Sequence, residues 1–225
     1  MARTNWLAAV AAVALTSSSA LDAAETPART AENLPALAPS EQAARLMQWI
    51  EMTDDNGTSP YIVIDKNSAA LFLFDAEGKQ VGQTPVLIGI AKGDDSSPGV
   101  GRKSLASLGP AEKTTPAGRF VARFGRAAGN RQVLWVDYAT SVALHIIVTG
   151  NRRERRLDRL FTPEADDNRI TFGCINVGAT LYTRQLQPLF RRNGGVVYIL
   201  PDTKPIEEVF PRLRMLPYLE AEQAF

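Results

Sequence analysis

Cysteine and histidine each occur once in this 225-residue chain, as Cys174 and His145. A lone cysteine excludes an internal disulfide. One Cys with one His cannot supply a typical zinc site, so no metal is expected, and no organic cofactor is implied. Charge of one sign is also lacking. Lys and Arg number 25 against 24 Asp and Glu, a net +1, which argues against a polyanion-binding protein and against a nucleic-acid partner. Long apolar runs are missing too: none approaches the ~20 residues that span a bilayer.

What is present points to export. Arg3 precedes a short apolar centre over residues 7–15, followed by small and polar residues to position 24. This pattern predicts a signal peptide over residues 1–24, cut after Ala20 or Ala24, and a mature protein in the periplasm or cell envelope without membrane attachment. The competing reading is an uncleaved anchor. In an oxidising compartment, a single cysteine is buried and inert, paired between chains, or kept as a reactive thiol.

The rest of the chain, 45% apolar, is long enough for one domain with decorations. Residues 25–39 are rich in Ala, Pro, Thr and Glu and lack an apolar period, so they predict a linker. Ser40 is placed to cap an amphipathic helix over 41–52 within an N-terminal segment, 40–58. Strands are predicted at 61–65, 70–74, 81–88, 120–124, 132–138, 142–148 and 196–200, from β-branched and aromatic runs separated by Gly, Asn and Asp turns. A helix is predicted over 180–193, stopped by Gly194 and Gly195. Long polar connections fall at 92–113 and 151–168. The expected fold is mostly β, an antiparallel β-sandwich or barrel with a helix beside the site, a catalytic domain over 59–202, and a partly helical extension over 203–225.

The chemistry concentrates around Thr171-Phe172-Gly173-Cys174-Ile175-Asn176, taken as a β-prone run entering a helix-like segment. A thiol attacks as the thiolate, and imidazole is the side chain best suited to take its proton near neutrality. Cys174 as nucleophile and His145 as base therefore form the first hypothesis, against a buried thiol and an ordinary core histidine. Gly173 allows positive φ, and the amides of Gly173 and Cys174 would face a developing oxyanion. Asn176 would hold the turn or cap a helix. Thr171 would hydrogen-bond near the site, or serve as a plain strand residue. Arg152, Arg153, Arg155, Arg156 and Arg159 form a basic cluster interrupted by Glu154 and Asp158. It either grips substrate carboxylates or is internally paired.

These motifs resemble the L,D-transpeptidase catalytic domain of bacterial cell-wall enzymes, whose pattern is a histidine, a spacer, then Ser/Thr-His-Gly-Cys-x-Asn. His145 matches the first histidine, and Thr171, Gly173, Cys174 and Asn176 match the later cluster. Thr115-Pro116-Ala117-Gly118 resembles the family's Thr-Pro-x-Gly segment. The strand pair 62–66 and 71–75 resembles its opening hairpin, and 196–200 its closing strand. Phe172 stands where a second histidine is usual, Ile146 follows His145 where Gly or Ser is common, and the spacer is longer than usual. The resemblance implies that Cys174 attacks the L,D-peptide bond of a tetrapeptide stem and passes the acyl group to an amine acceptor. The partners it implies are peptidoglycan stem peptides and an amine-bearing stem or protein. Thr171, Phe172, Asn176, Arg152 and Arg153 become the expected substrate-binding residues. A hydrolase of the same fold, a non-catalytic wall-binding module and a thiol redox protein are the alternatives, the last ranked lowest because a resolving cysteine is absent.

Overall fold

The structure, a computed structural model, describes residues 37–223. The expected signal peptide, and the linker up to residue 36, lie outside the described residues. No helix among the described residues is long and apolar enough to cross a membrane.

Ser40 caps helix α1 (Glu41–Thr53), its Oγ accepting from the Ala43 amide at 3.2 Å. Ten strands follow: β1 (Tyr61–Asp65), β2 (Ala70–Phe74), β3 (Gln80–Pro85), β4 (Ile88–Gly89), β5 (Gly118–Arg126), β6 (Gln132–Asp137), β7 (Val142–Ile146), β8 (Arg169–Thr171), β9 (Ile175–Val177) and β10 (Gly195–Ile199). Helix α2 (Arg156–Leu160) interrupts the long charged connection. After β9, α3 (Ala179–Leu181), a π-helical turn (Tyr182–Leu186) and α4 (Gln187–Phe190) follow one another directly, in place of the single expected helix. Gly194, at φ +74°, then turns the chain into β10.

Eight strands form one sheet in the order β3-β2-β1-β10-β5-β6-β7-β9. The expectation of an antiparallel sheet holds for five of its seven pairings; β1–β10 and β7–β9 are parallel. Each of those pairs joins strands far apart in sequence. A parallel neighbour requires a crossover that no tight turn provides. The sandwich alternative also gives way to one curled sheet. Leu87, just past β3, exchanges backbone hydrogen bonds with Asn176 of β9 at 2.9 and 2.8 Å, so the sheet edges meet and the barrel nearly closes. Strands β4 and β8 pair separately.

Strands β1, β2 and β10 are buried along their whole length, which explains their unbroken apolar runs. Ile62, Ile64, Leu71, Leu73, Val197 and Ile199 face the main core. Tyr61, Val63, Phe72, Phe74 and Tyr198 face a second core with Leu46, Ile50, Ile206 and Leu213. The C-terminal segment is thus an integral layer that, with α1, covers the outer face of the sheet. It contains α5 (Ile206–Val209) and α6 (Leu216–Gln223).

Candidate active site

The barrel seam carries the site. Strands β7 and β9 pair in parallel with Leu144 opposite Ile175 and His145 opposite Asn176. Val142, Leu144, Ile175 and Val177 point into the main core. Alternation along a strand therefore turns Ala143, His145, Cys174 and Asn176 to the outer face. Cys174 sits in the turn between β8 and β9, ahead of a strand and not of a helix; its thiol is partly exposed. Strands of three residues carry too little periodicity to be found from sequence, which is why β8 and β9 were not predicted.

The turn is tightly specified. Gly173 has φ +117°, and a Cβ on it would lie 2.8 Å from the Thr114 carbonyl oxygen. The Thr171 hydroxyl donates to the Cys174 carbonyl at 2.6 Å and accepts from the Gly173 amide at 3.2 Å. The Gly173 amide, expected to face an oxyanion, is thus turned inward, and the Cys174 amide is left as the candidate donor. Thr115, from the Thr-Pro-x-Gly segment, donates its hydroxyl to the Gly173 carbonyl at 2.8 Å and accepts from the Gly89 amide at 2.8 Å.

Beneath this turn lies a buried ionic knot. The Lys66 ammonium donates to the Thr115 carbonyl (3.0 Å), the Gly93 carbonyl (2.6 Å) and the Asp94 carboxylate (2.8 Å). Asp202 lies 3.4 Å from the same ammonium and accepts from Arg169, at the head of β8, at 2.6 Å. Lys66 thus holds the strap bearing Thr115, and Arg169 holds the strand leading into Cys174.

His145 is fixed at both ring nitrogens. Nδ1 lies 2.8 Å from the Ile146 carbonyl, which can only accept, so Nδ1 carries the hydrogen. Nε2 therefore keeps the lone pair, 3.2 Å from the Asn176 amide nitrogen. Arg156 of α2 fixes that amide's orientation by donating to Asn176 Oδ1 at 2.8 Å, and it also donates to Glu154 at 2.5 Å. The Cys174 thiol points toward the Ser141 carbonyl, 3.7 Å away. Sulfur and imidazole share one face, but in this state the lone pair is capped by Asn176.

Burial pushes the Cys174 thiol above its ordinary value, against the opposing pull of a backbone contact from Ala143 and the charge of Arg156. Burial also pushes His145 down, reinforced by the charges of Arg131 and Arg156 and opposed by its bond to the Ile146 carbonyl. Both shifts favour the neutral thiol–imidazole pair over the ion pair. Alkylation of Cys174 by iodoacetamide is therefore expected to rise with pH, with a midpoint above the ~8.5 of a free cysteine. A plateau already reached near pH 6–7 would mean a preformed thiolate–imidazolium pair.

The expected substrate contacts are distributed unevenly. Phe172 is 44% exposed, with the Lys113 ammonium 4.3 Å from its ring centroid. Arg152 and Arg153 are exposed on the 3-10 turn before α2. Arg152 helps line a cavity of about 170 Å³ with Thr149, Arg155, Arg156 and Leu157. Arg155 pairs with Asp158, and Arg159 donates to the carbonyls of Glu154 and Asp167, so part of the cluster is internally satisfied. Arg156 reaches the His145 group, a distinction that charge spacing alone does not reveal. A cavity of about 580 Å³ between α1 and the C-terminal layer shares no lining residue with this site.

No family model matches the chain, and no curated protein matches it. Solved structures do resemble it. The catalytic domain of an L,D-transpeptidase from E. faecium is 14% identical with a TM-score of 0.37, covering 64% of this chain and 98% of that domain. The helical cell shape determining protein Pgp2 from Campylobacter jejuni is 14% identical with a TM-score of 0.41, over 71% of this chain and 56% of Pgp2. An L,D-transpeptidase (Yku) from Stackebrandtia nassauensis is 14% identical with a TM-score of 0.36, over 69% of this chain and 65% of its own. The chain thus spans less than two thirds of the length of the latter two.

Proposed function

We propose that this chain is an exported peptidoglycan L,D-transpeptidase working through a cysteine thioester. The observation that supports it best is the half-buried Cys174 thiol on the same sheet face as His145, at the end of a turn that only glycine fits. Cys174 gives its proton to His145 Nε2 and its sulfur bonds to the scissile carbonyl carbon of a tetrapeptide stem. The C–N bond to the terminal D-Ala breaks, and the imidazolium returns the proton to that leaving amine. The Cys174 amide faces the oxyanion. An amine on a second stem or on a protein then attacks the thioester, giving a cross-link and regenerating the thiol.

The test is incubation with purified tetrapeptide muropeptides and an amine acceptor, read by mass spectrometry, alongside a carbapenem-type acylating probe. Released D-Ala with cross-linked product is expected. Trimmed stems without cross-links would instead make it an L,D-carboxypeptidase. A second reading, a non-catalytic wall-binding module, is favoured by the capped lone pair of His145. It requires muropeptide binding with neither product nor adduct at Cys174.

A further inference from the structure

We propose that Arg156 is the receptor for the free carboxylate on the leaving side of the donor peptide, and that binding this carboxylate uncaps His145. The inference rests on the transpeptidase reading and assigns a specificity residue within it.

Two hydrogen bonds link the base to the guanidinium. His145 Nε2 is capped by the Asn176 amide, and Asn176 is oriented by the Arg156 guanidinium. A scissile carbonyl on Sγ brings its leaving amine to Nε2, because that nitrogen must return the proton. In the proposed pose the carboxylate of the same leaving residue lies toward Arg156, the cation behind Asn176. Arg156 also borders the small cavity beside α2.

Competition decides the outcome. Arg156 Nε is held by Glu154, while its Nη1 donates to the neutral amide oxygen of Asn176; a substrate carboxylate offers Nη1 a charged acceptor, and charge-assisted hydrogen bonds are roughly twice as strong. Once the guanidinium turns to the carboxylate, Asn176 loses the partner that fixes its amide. Its N–H group is free to leave Nε2, and the lone pair is exposed to the thiol proton. A donor with the carboxylate thus strengthens the base that cleaves it, while a donor blocked there meets a capped imidazole. No covalent change occurs in this step; only hydrogen-bond partners exchange.

The experiment compares a tetrapeptide-stem donor ending in a free carboxylate with its C-terminal carboxamide, in the full chain and in Arg156→Gln and Arg156→Lys. The wild-type protein is expected to favour the carboxylate by ~10–100-fold in kcat/KM, the usual worth of a charged hydrogen bond. Arg156→Gln should bring the ratio to within about threefold of unity, and Arg156→Lys should retain part of it. Each ratio is internal to one variant, so a reduced folded fraction does not alter it. An unchanged preference in Arg156→Gln, or none in the wild type, overturns the proposal. Cys174→Ala in the same assay separates the two ideas: full turnover there sinks the transpeptidase reading, whereas a dead Cys174→Ala beside an unaltered Arg156→Gln preference sinks this inference alone.

Discussion

Cys174→Ala is expected to lower turnover by ~10⁴–10⁶-fold while leaving the fold intact, the scale seen when a covalent nucleophile is removed. The chain has no second cysteine to substitute for it. The side chain is half-buried in the turn, outside the apolar clusters that form the core, so its loss opens no large cavity. The turn itself is held by Thr115 on the Gly173 carbonyl and by Thr171 on the Cys174 carbonyl, neither of which uses the sulfur. The thermal midpoint should therefore stay within a few degrees of the parent's, and the carbapenem adduct should vanish. Retained turnover would remove the mechanism, and a collapsed fold would mean that the sulfur is structural.

Lys66→Ala should produce the largest loss of stability. The ammonium is about 1% exposed and is surrounded by two carboxylates and two carbonyls. Removing it leaves Asp94 and Asp202 buried beside each other with one cation fewer, and breaking such a group typically costs about 3–5 kcal/mol. In a chain of this size that lowers the melting temperature by ~2–4 °C per kcal/mol. The Thr115 strap would lose its anchor in the same change, so the folded fraction should also acylate more slowly. A melting temperature unchanged by the substitution would show that the knot contributes nothing.

The same knot has a pH signature. Burial alone would raise the Asp94 carboxyl, but hydrogen bonds from Lys66, Thr203 and the Asp202 amide outweigh it and hold the group well below the usual carboxylate range. A depressed folded-state value contributes stability that is present above the unfolded value of about 4 and is lost as pH falls toward the folded one. Asp94→Asn should accordingly flatten the acid limb of the stability curve below about pH 4, measured by thermal melts. A limb of unchanged slope would assign the acid sensitivity to other carboxylates.

The sequence by itself determined the parts whose information is local. Ser40 and the apolar spacing behind it specified α1. Apolar runs of β-branched and aromatic residues specified β1, β2 and β10, since strands buried on both faces carry no polar alternation. The scarcity of cysteine and histidine singled out Cys174 and His145, and Gly173 marked a turn before the thiol. The tertiary structure alone decided what depends on pairing between distant segments. Three-residue strands such as β8 and β9 exist because distant segments supply their partners, β4 for β8 and β7 for β9; their own propensity is too weak to announce them. The same seam sets Asn176 beside His145 and brings Arg156, one of five similar arginines, onto Asn176. It also sets Lys66 beneath a threonine 49 positions later. Spacing along a chain predicts which face a residue takes; only pairing between distant strands fixes which neighbour it meets, and the hydrogen-bond partner of the imidazole follows from the β7–β9 register.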